Sequence, residues 1–130
     1  MRGPMICIIL LLPAVASQCT GIHNPVERRC GPPPSRLYSL PGYPAVQQIF
    51  KNVHYETMTL YLIGNDGTVG VQSWQLNPGD ILTLDTAMRQ GYVASSGTGP
   101  DKRWLRLGGR CYYYPSSPDT DGCTIYISSF

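Results

Sequence analysis

The residues able to do chemistry in this 130-residue chain are few and far apart. Hydrolysis through a covalent intermediate needs a nucleophile, a base and a group that orients the base. The only histidines are His23, in a proline-rich segment, and His54, and the sequence places no orienting carboxylate beside either. There is no Gly-x-Ser-x-Gly elbow, the acids form no paired motif, and no glycine-rich phosphate loop precedes a helix. Asp119-Thr120-Asp121-Gly122 has part of the donor spacing of a calcium loop. Cys123, Thr124 and Ile125 follow it, however, and no glutamate closes the coordination sphere. It reads as a hairpin turn in which aspartate accepts local backbone hydrogen bonds and glycine takes positive φ. The expectation is a protein with no catalytic residues, no metal and no cofactor.

The cysteines carry more information. Residues 1–17, MRGPMICIILLLPAVAS, combine Arg2, an apolar run from Met5 to Leu12, and the small residues Ala14, Ala16 and Ser17. This is the three-part pattern of a secretory signal peptide, and the run is too short to span a bilayer. Cleavage is expected between Ala16 and Cys19, which removes Cys7. In the oxidising compartment that export implies, Cys19, Cys30, Cys111 and Cys123 read as two disulfides. Zinc sites need tighter spacings, and here the short intervals are 11 and 12 residues. Three connectivities are open. Cys19–Cys30 with Cys111–Cys123 is local, whereas pairing the amino-terminal segment to the carboxy-terminal hairpin closes longer loops.

Two clusters suggest recognition. Lys102, Trp104 and Arg106, with Arg103 and Arg110 nearby, would place charge and an aromatic on one face of a strand. Such a patch suits a sulfated polysaccharide or acidic partner; the alternative is an edge strand protected by its charges. Tyr112-Tyr113-Tyr114 alternates across a strand, so at least one tyrosine faces outward.

The elements that must hold these groups are strands. The chain has 14 glycines and 12 prolines, a fifth of its residues, against a usual share of roughly 12 %. Hydrophobic residues reach 42 % and charged residues only 14 %, which argues against a charged tail or a long surface helix. The net charge of +2 is too small to drive nucleic-acid binding. Residues 18–45 form a proline-rich leader tied down by a disulfide, with a short polyproline stretch at Gly31–Pro34. Residues 46–130 contain strand-like runs at Val46–Phe50, Thr57–Ile63, Thr68–Leu76, Ile81–Asp85, Tyr92–Ala94, Trp104–Leu107, Cys111–Tyr114 and Cys123–Ser128. Gly64–Gly67 and Asn77–Asp80 are turns, the second with proline and glycine placed for type II. The expected fold is all-β: an antiparallel β-sandwich of about seven to eight short strands, disulfide-bonded.

Several motifs converge on one family. Ile49-Phe50-Lys51-Asn52, Leu60-Tyr61-Leu62, Asp66-Gly67, Leu76-Asn77-Pro78-Gly79, and Asp85-Thr86 through Tyr92 resemble the β-domain of the von Hippel-Lindau tumour suppressor family. The resemblance covers about residues 46–99. It implies a β-sandwich and, as activity, the binding of a hydroxyproline peptide. Thr86 stands where a serine or threonine lines the family's peptide pocket, and Tyr92 where a tryptophan does. Gln90 replaces the pocket histidine and Ser73 the pocket tyrosine. The family's helical domain, which recruits ubiquitin-ligase subunits, has no counterpart.

The reading that follows is a secreted, non-enzymatic extracellular binding or matrix module that takes an extracellular protein, peptide or polysaccharide. It has no nucleic-acid partner and no membrane span, and a peptide would sit at a sheet edge by Thr86, Gln90 and Tyr92. A secreted toxin or defence protein, or a secreted hydrolase or enzyme inhibitor built on His54, are the alternatives. Thiol titration of the secreted protein is expected to find no free thiol. Reduction is expected to cost about 2–5 kcal/mol per bridge in denaturant unfolding.

Overall fold

A computed structural model describes residues 29–34, 37–115 and 122–129; the signal segment, Cys19 and Asp119–Asp121 lie outside the described residues. The strands are β1 (Ala45–Asn52), β2 (Met58–Ile63), β3 (Val69–Leu76), β4 (Ile81–Ala87), β5 (Tyr92–Ser96), β6 (Arg103–Trp104), β7 (Arg106–Leu107) and β8 (Thr124–Ser128). They form two four-stranded sheets, ordered β4-β1-β8-β7 and β3-β2-β5-β6. Every neighbouring pair is antiparallel except β1 and β8, which run parallel. The all-β sandwich expected from strand spacing is the observed architecture.

Alternation explains the packing. In β1 every second residue from Val46 to Asn52 is buried, and in β2 Met58 and Leu60 turn inward. Phe50, Leu60, Leu76, Tyr92, Ile125 and Ile127 meet in the main core between the sheets. The residues of opposite parity on the β2–β5 sheet, Ile63 and Val93, form a second, smaller cluster with Leu37 of the leader. Tyr61, Trp104, Tyr112 and Tyr114 pack against it. All five residues of β5 are therefore buried, because this sheet is covered on both faces.

The leader is thus a layer of the structure as well as a strap. Ser39 is 1 % exposed; its hydroxyl donates to the Ile63 carbonyl and accepts the Gly91 N–H at 2.8 Å. Its N–H donates to the Gly64 carbonyl at 3.0 Å. The path of the leader brings Cys30 to Cys111, 81 residues away, and the two are joined with Cα atoms 5.3 Å apart. The local pairs Cys19–Cys30 and Cys111–Cys123 are therefore excluded. Cys123 is also disulfide-bonded.

Two further expectations are corrected. Cys111–Tyr114 is not a ladder strand: Tyr113 makes a single isolated bridge to Tyr92, and Cys111 at its start is tied to the leader through Cys30. Trp104–Leu107 is not one strand but two, β6 in one sheet and β7 in the other. The chain crosses between sheets at Leu105, which is 2 % exposed and whose N–H donates to the Ala94 carbonyl at 2.8 Å.

Asn52, at the end of β1, is fully buried. Its Nδ2 donates to the carbonyls of Glu56 at 2.9 Å and Leu76 at 3.0 Å, and its Oδ1 accepts the His54 N–H at 2.8 Å. Its backbone N–H donates to the Asp80 carbonyl at 3.0 Å, and its carbonyl accepts the Gly79 N–H at 2.8 Å. One side chain thus ties β1 of one sheet to the end of β3 in the other. Asn52→Ala is expected to cost about 2–4 kcal/mol, because it removes three hydrogen bonds and strands buried partners. Equilibrium urea unfolding measures this.

Candidate functional site

Among the recesses of the sandwich, two lie at the edges where the chain passes between sheets. At the first, β3 and β4 are edge strands of different sheets joined by Asn77-Pro78-Gly79-Asp80. The Asp80 N–H donates to the Asn77 carbonyl at 2.9 Å, and the Asn77 N–H to Asp80 Oδ2 at 2.8 Å. Gly79 takes φ 87°, as a type II turn requires. Between the two edges lies a pocket of about 280 Å³. Gln72 and Trp74 of β3, Leu84 to Ala87 of β4, and Leu62, Gln90 and Tyr92 line it.

Thr86, Gln90 and Tyr92, separated in sequence, do come together here. Tyr92 is 1 % exposed, packs its ring 5.1 Å from that of Phe50, and donates its hydroxyl to Thr86 Oγ1. It is a core residue whose polar end forms part of the pocket lining. Burial pushes its phenol pKa up, opposed by the bond to Thr86. Gln90 follows a tight turn in which Arg89 adopts φ 70°, and its Nε2 donates to the Leu40 carbonyl at 3.5 Å. Ser73, which the resemblance aligns with a pocket tyrosine, does not line the pocket. Its neighbours Gln72 and Trp74 do, and alternation puts Ser73 on the other face of β3.

The second recess, of about 670 Å³, lies at the opposite edge, where β6 passes to β7. Gly97 ends β5 at φ 78°; a Cβ there would stand 2.5 Å from the Asp101 carbonyl oxygen, so only glycine lets the chain fold back into the turn at Gly99–Asp101. That turn delivers Lys102, Arg103, Trp104 and Arg106 to one wall. Lys102 Nζ sits 4.7 Å from the Trp104 ring centre and 5.2 Å from that of Tyr61. Arg106 donates to the Gly109 carbonyl at 3.2 Å. The facing wall is Arg29 to Pro32, held by the Cys30–Cys111 bond, and His54 and Tyr55 complete the lining. The three residues expected to share a strand face thus line one groove, although Lys102 precedes β6, Trp104 lies in β6 and Arg106 in β7.

Sequence reasoning missed Glu56 as the partner of His54. Its Oε1 lies 3.3 Å from His54 Nε2 and 3.3 Å from Arg103 Nη2. His54 is 4 % exposed and its Nδ1 has no hydrogen-bond partner. Among the described residues, no hydroxyl or thiol is seen to hydrogen-bond to this ring. The signal available was the i, i+2 spacing of the two residues, which acquires meaning only once Asn52 has folded the 54–56 link. No group of metal-ligating side chains occurs among the described residues. Of the three tyrosines at 112–114, Tyr113 is core, while Tyr112 and Tyr114 meet edge to face at 6.1 Å against the outer cluster. Burial raises the Tyr114 phenol pKa, with Tyr112 and Tyr38 adding to it.

No protein-family model matches the chain, and no curated protein matches it either.

Tyr92→Ala is expected to cost about 3–5 kcal/mol, as for a core aromatic, while Tyr92→Phe keeps the ring packing and costs about 1 kcal/mol. Because the folded pKa of Tyr92 is raised, its contribution is complete below the unfolded value near ~10 and is lost as pH rises through the folded value. Urea unfolding of wild type and Tyr92→Phe at neutral and alkaline pH is expected to show a smaller alkaline loss in the variant.

Proposed function

We propose that this chain is a secreted, non-enzymatic binding module that takes an extended peptide at the edge formed by β3 and β4. The observation that carries the reading is a pocket with an aromatic wall flanked on both sides by unpaired strand edges. β3 is eight residues long, carries no charged side chain, and exposes its residues from Val69 to Ser73. Neither a charge nor a proline occupies this strand, and the bulge at Gly70–Val71, where Gly70 takes φ 88°, leaves Gln72 to Leu76 in regular register with β2. Main-chain hydrogen bonds along such an edge would supply affinity, and the pocket would select one side chain.

The pattern at residues 1–17 and the disulfide-bonded cysteines support export. The resemblance to the von Hippel-Lindau β-domain family supports a prolyl side chain in the pocket. Gln90, in place of that family's histidine, keeps a donor and an acceptor but lacks a ring to pack on a hydroxylated proline. The preference for hydroxyproline over proline is therefore expected to be small. His54, engaged by Glu56, supports a structural role for the one base in the strand domain.

Calorimetry with a panel of extended peptides bearing proline, hydroxyproline or alanine tests the proposal. Gln72→Ala and Gln90→Ala are expected to weaken the bound peptide about tenfold each, ~1.4 kcal/mol, with an unchanged melting temperature. Failure of every peptide to bind wild type, or binding indifferent to both substitutions, would overturn it. Turnover of any substrate that is lost in His54→Ala would overturn the non-enzymatic part.

A further inference from the structure

We propose that the groove between Arg29–Pro32 and Lys102–Arg106 is a second binding site, for a sulfated polysaccharide. It is separate from the peptide edge and does not depend on it. Four of the chain's ten lysines and arginines, Arg29, Lys102, Arg103 and Arg106, line this one recess, and no carboxylate is among its described lining residues. With a net charge of only +2 overall, the positive potential is local. Beside the recess, Glu56 Oε1 lies 3.3 Å from Arg103 Nη2.

Shape and order argue for a chain of rigid, densely charged units. The recess, about 670 Å³, has an exposed aromatic, Tyr55, and the half-buried Trp104, against which the apolar face of a sugar ring packs. Guanidinium forks of Arg29, Arg103 and Arg106 match the tetrahedral oxyanion of a sulfate ester. Lys102 is already held over two aromatic rings, so less side-chain freedom is lost when an anion arrives. The wall carrying Arg29 is fixed by a covalent bond to Cys111. A groove built with a disulfide belongs to an oxidising compartment, where the abundant polymeric anions are sulfated glycans. An acidic polypeptide is the competing partner, and the experiment separates the two.

The test is calorimetric titration of the secreted protein with a heparin hexasaccharide, its fully desulfated counterpart and a poly-glutamate peptide. The hexasaccharide is expected to bind, to weaken steeply as salt rises from about 0.05 to 0.5 M, and to lose affinity by about tenfold or more in Lys102→Gln/Arg106→Gln. Arg29→Gln, on the facing wall, is expected to weaken it by a smaller factor, and Lys51→Gln, outside the groove, to leave it unchanged. Melting temperatures establish that each variant is folded. No binding of the hexasaccharide by wild type overturns the proposal. Equal binding of the desulfated chain, tighter binding of poly-glutamate, or an equal loss in Lys51→Gln would overturn it as well.

Discussion

The side-chain amide of Asn52 holds the two sheets in register with each other. It spends both donors on carbonyls at one end of the facing sheet, Glu56 at the entrance to β2 and Leu76 at the exit of β3, and its oxygen takes the His54 N–H. In a low-dielectric interior each of these bonds is stronger than in water, and each would be costly to leave unmade. Both recesses depend on this node. By fixing Leu76 and the Gly79–Asp80 backbone it sets the turn that separates β3 from β4, and by fixing residues 54–56 it sets one side of the basic groove.

A second buried amide does related work deeper in the core. Gln48 is 0 % exposed; its Oε1 accepts the Tyr113 hydroxyl at 2.8 Å and its Nε2 donates to the Cys123 carbonyl at 3.1 Å. It thereby joins β1 to the segment after the basic groove and to the start of β8. This helps explain why β8 lies parallel to β1, a pairing that requires a long connection and so leaves no local trace in the sequence. Polar residues on the inward face of β1 thus fix the order of strands, while the apolar residues beside them supply the burial.

What could be read from the sequence was local. The turn at Asn77–Asp80 follows from proline and glycine in fixed positions, and strands β1 to β5 follow from alternation and β-branched residues. Thr86, Gln90 and Tyr92, grouped by the family resemblance, line one pocket, and all three lie within seven residues of one strand-turn-strand unit. What escaped was set by distant partners. Leu105 gives no sign that the chain changes sheets there. The leader reads as mere proline-rich strap although Leu37 and Ser39 complete a layer. Ser73 was one residue away from the true lining, an error that in a strand reverses the face.

The bond between Cys30 and Cys111 has a mechanical consequence. Strands β1 to β7 all lie within the covalent loop it closes, and only β8 lies beyond it. Force that pulls residue 30 away from residue 111 is carried by the sulfur bridge and does not load the backbone of those seven strands. The edge of β3, the pocket beside it and the turn bearing Lys102 sit inside this shielded length, whereas Arg29 and Ser129 of the basic groove lie outside it. Under such a load the edge formed by β3 and β4 would keep its shape at forces that extend an unbridged sandwich of the same size.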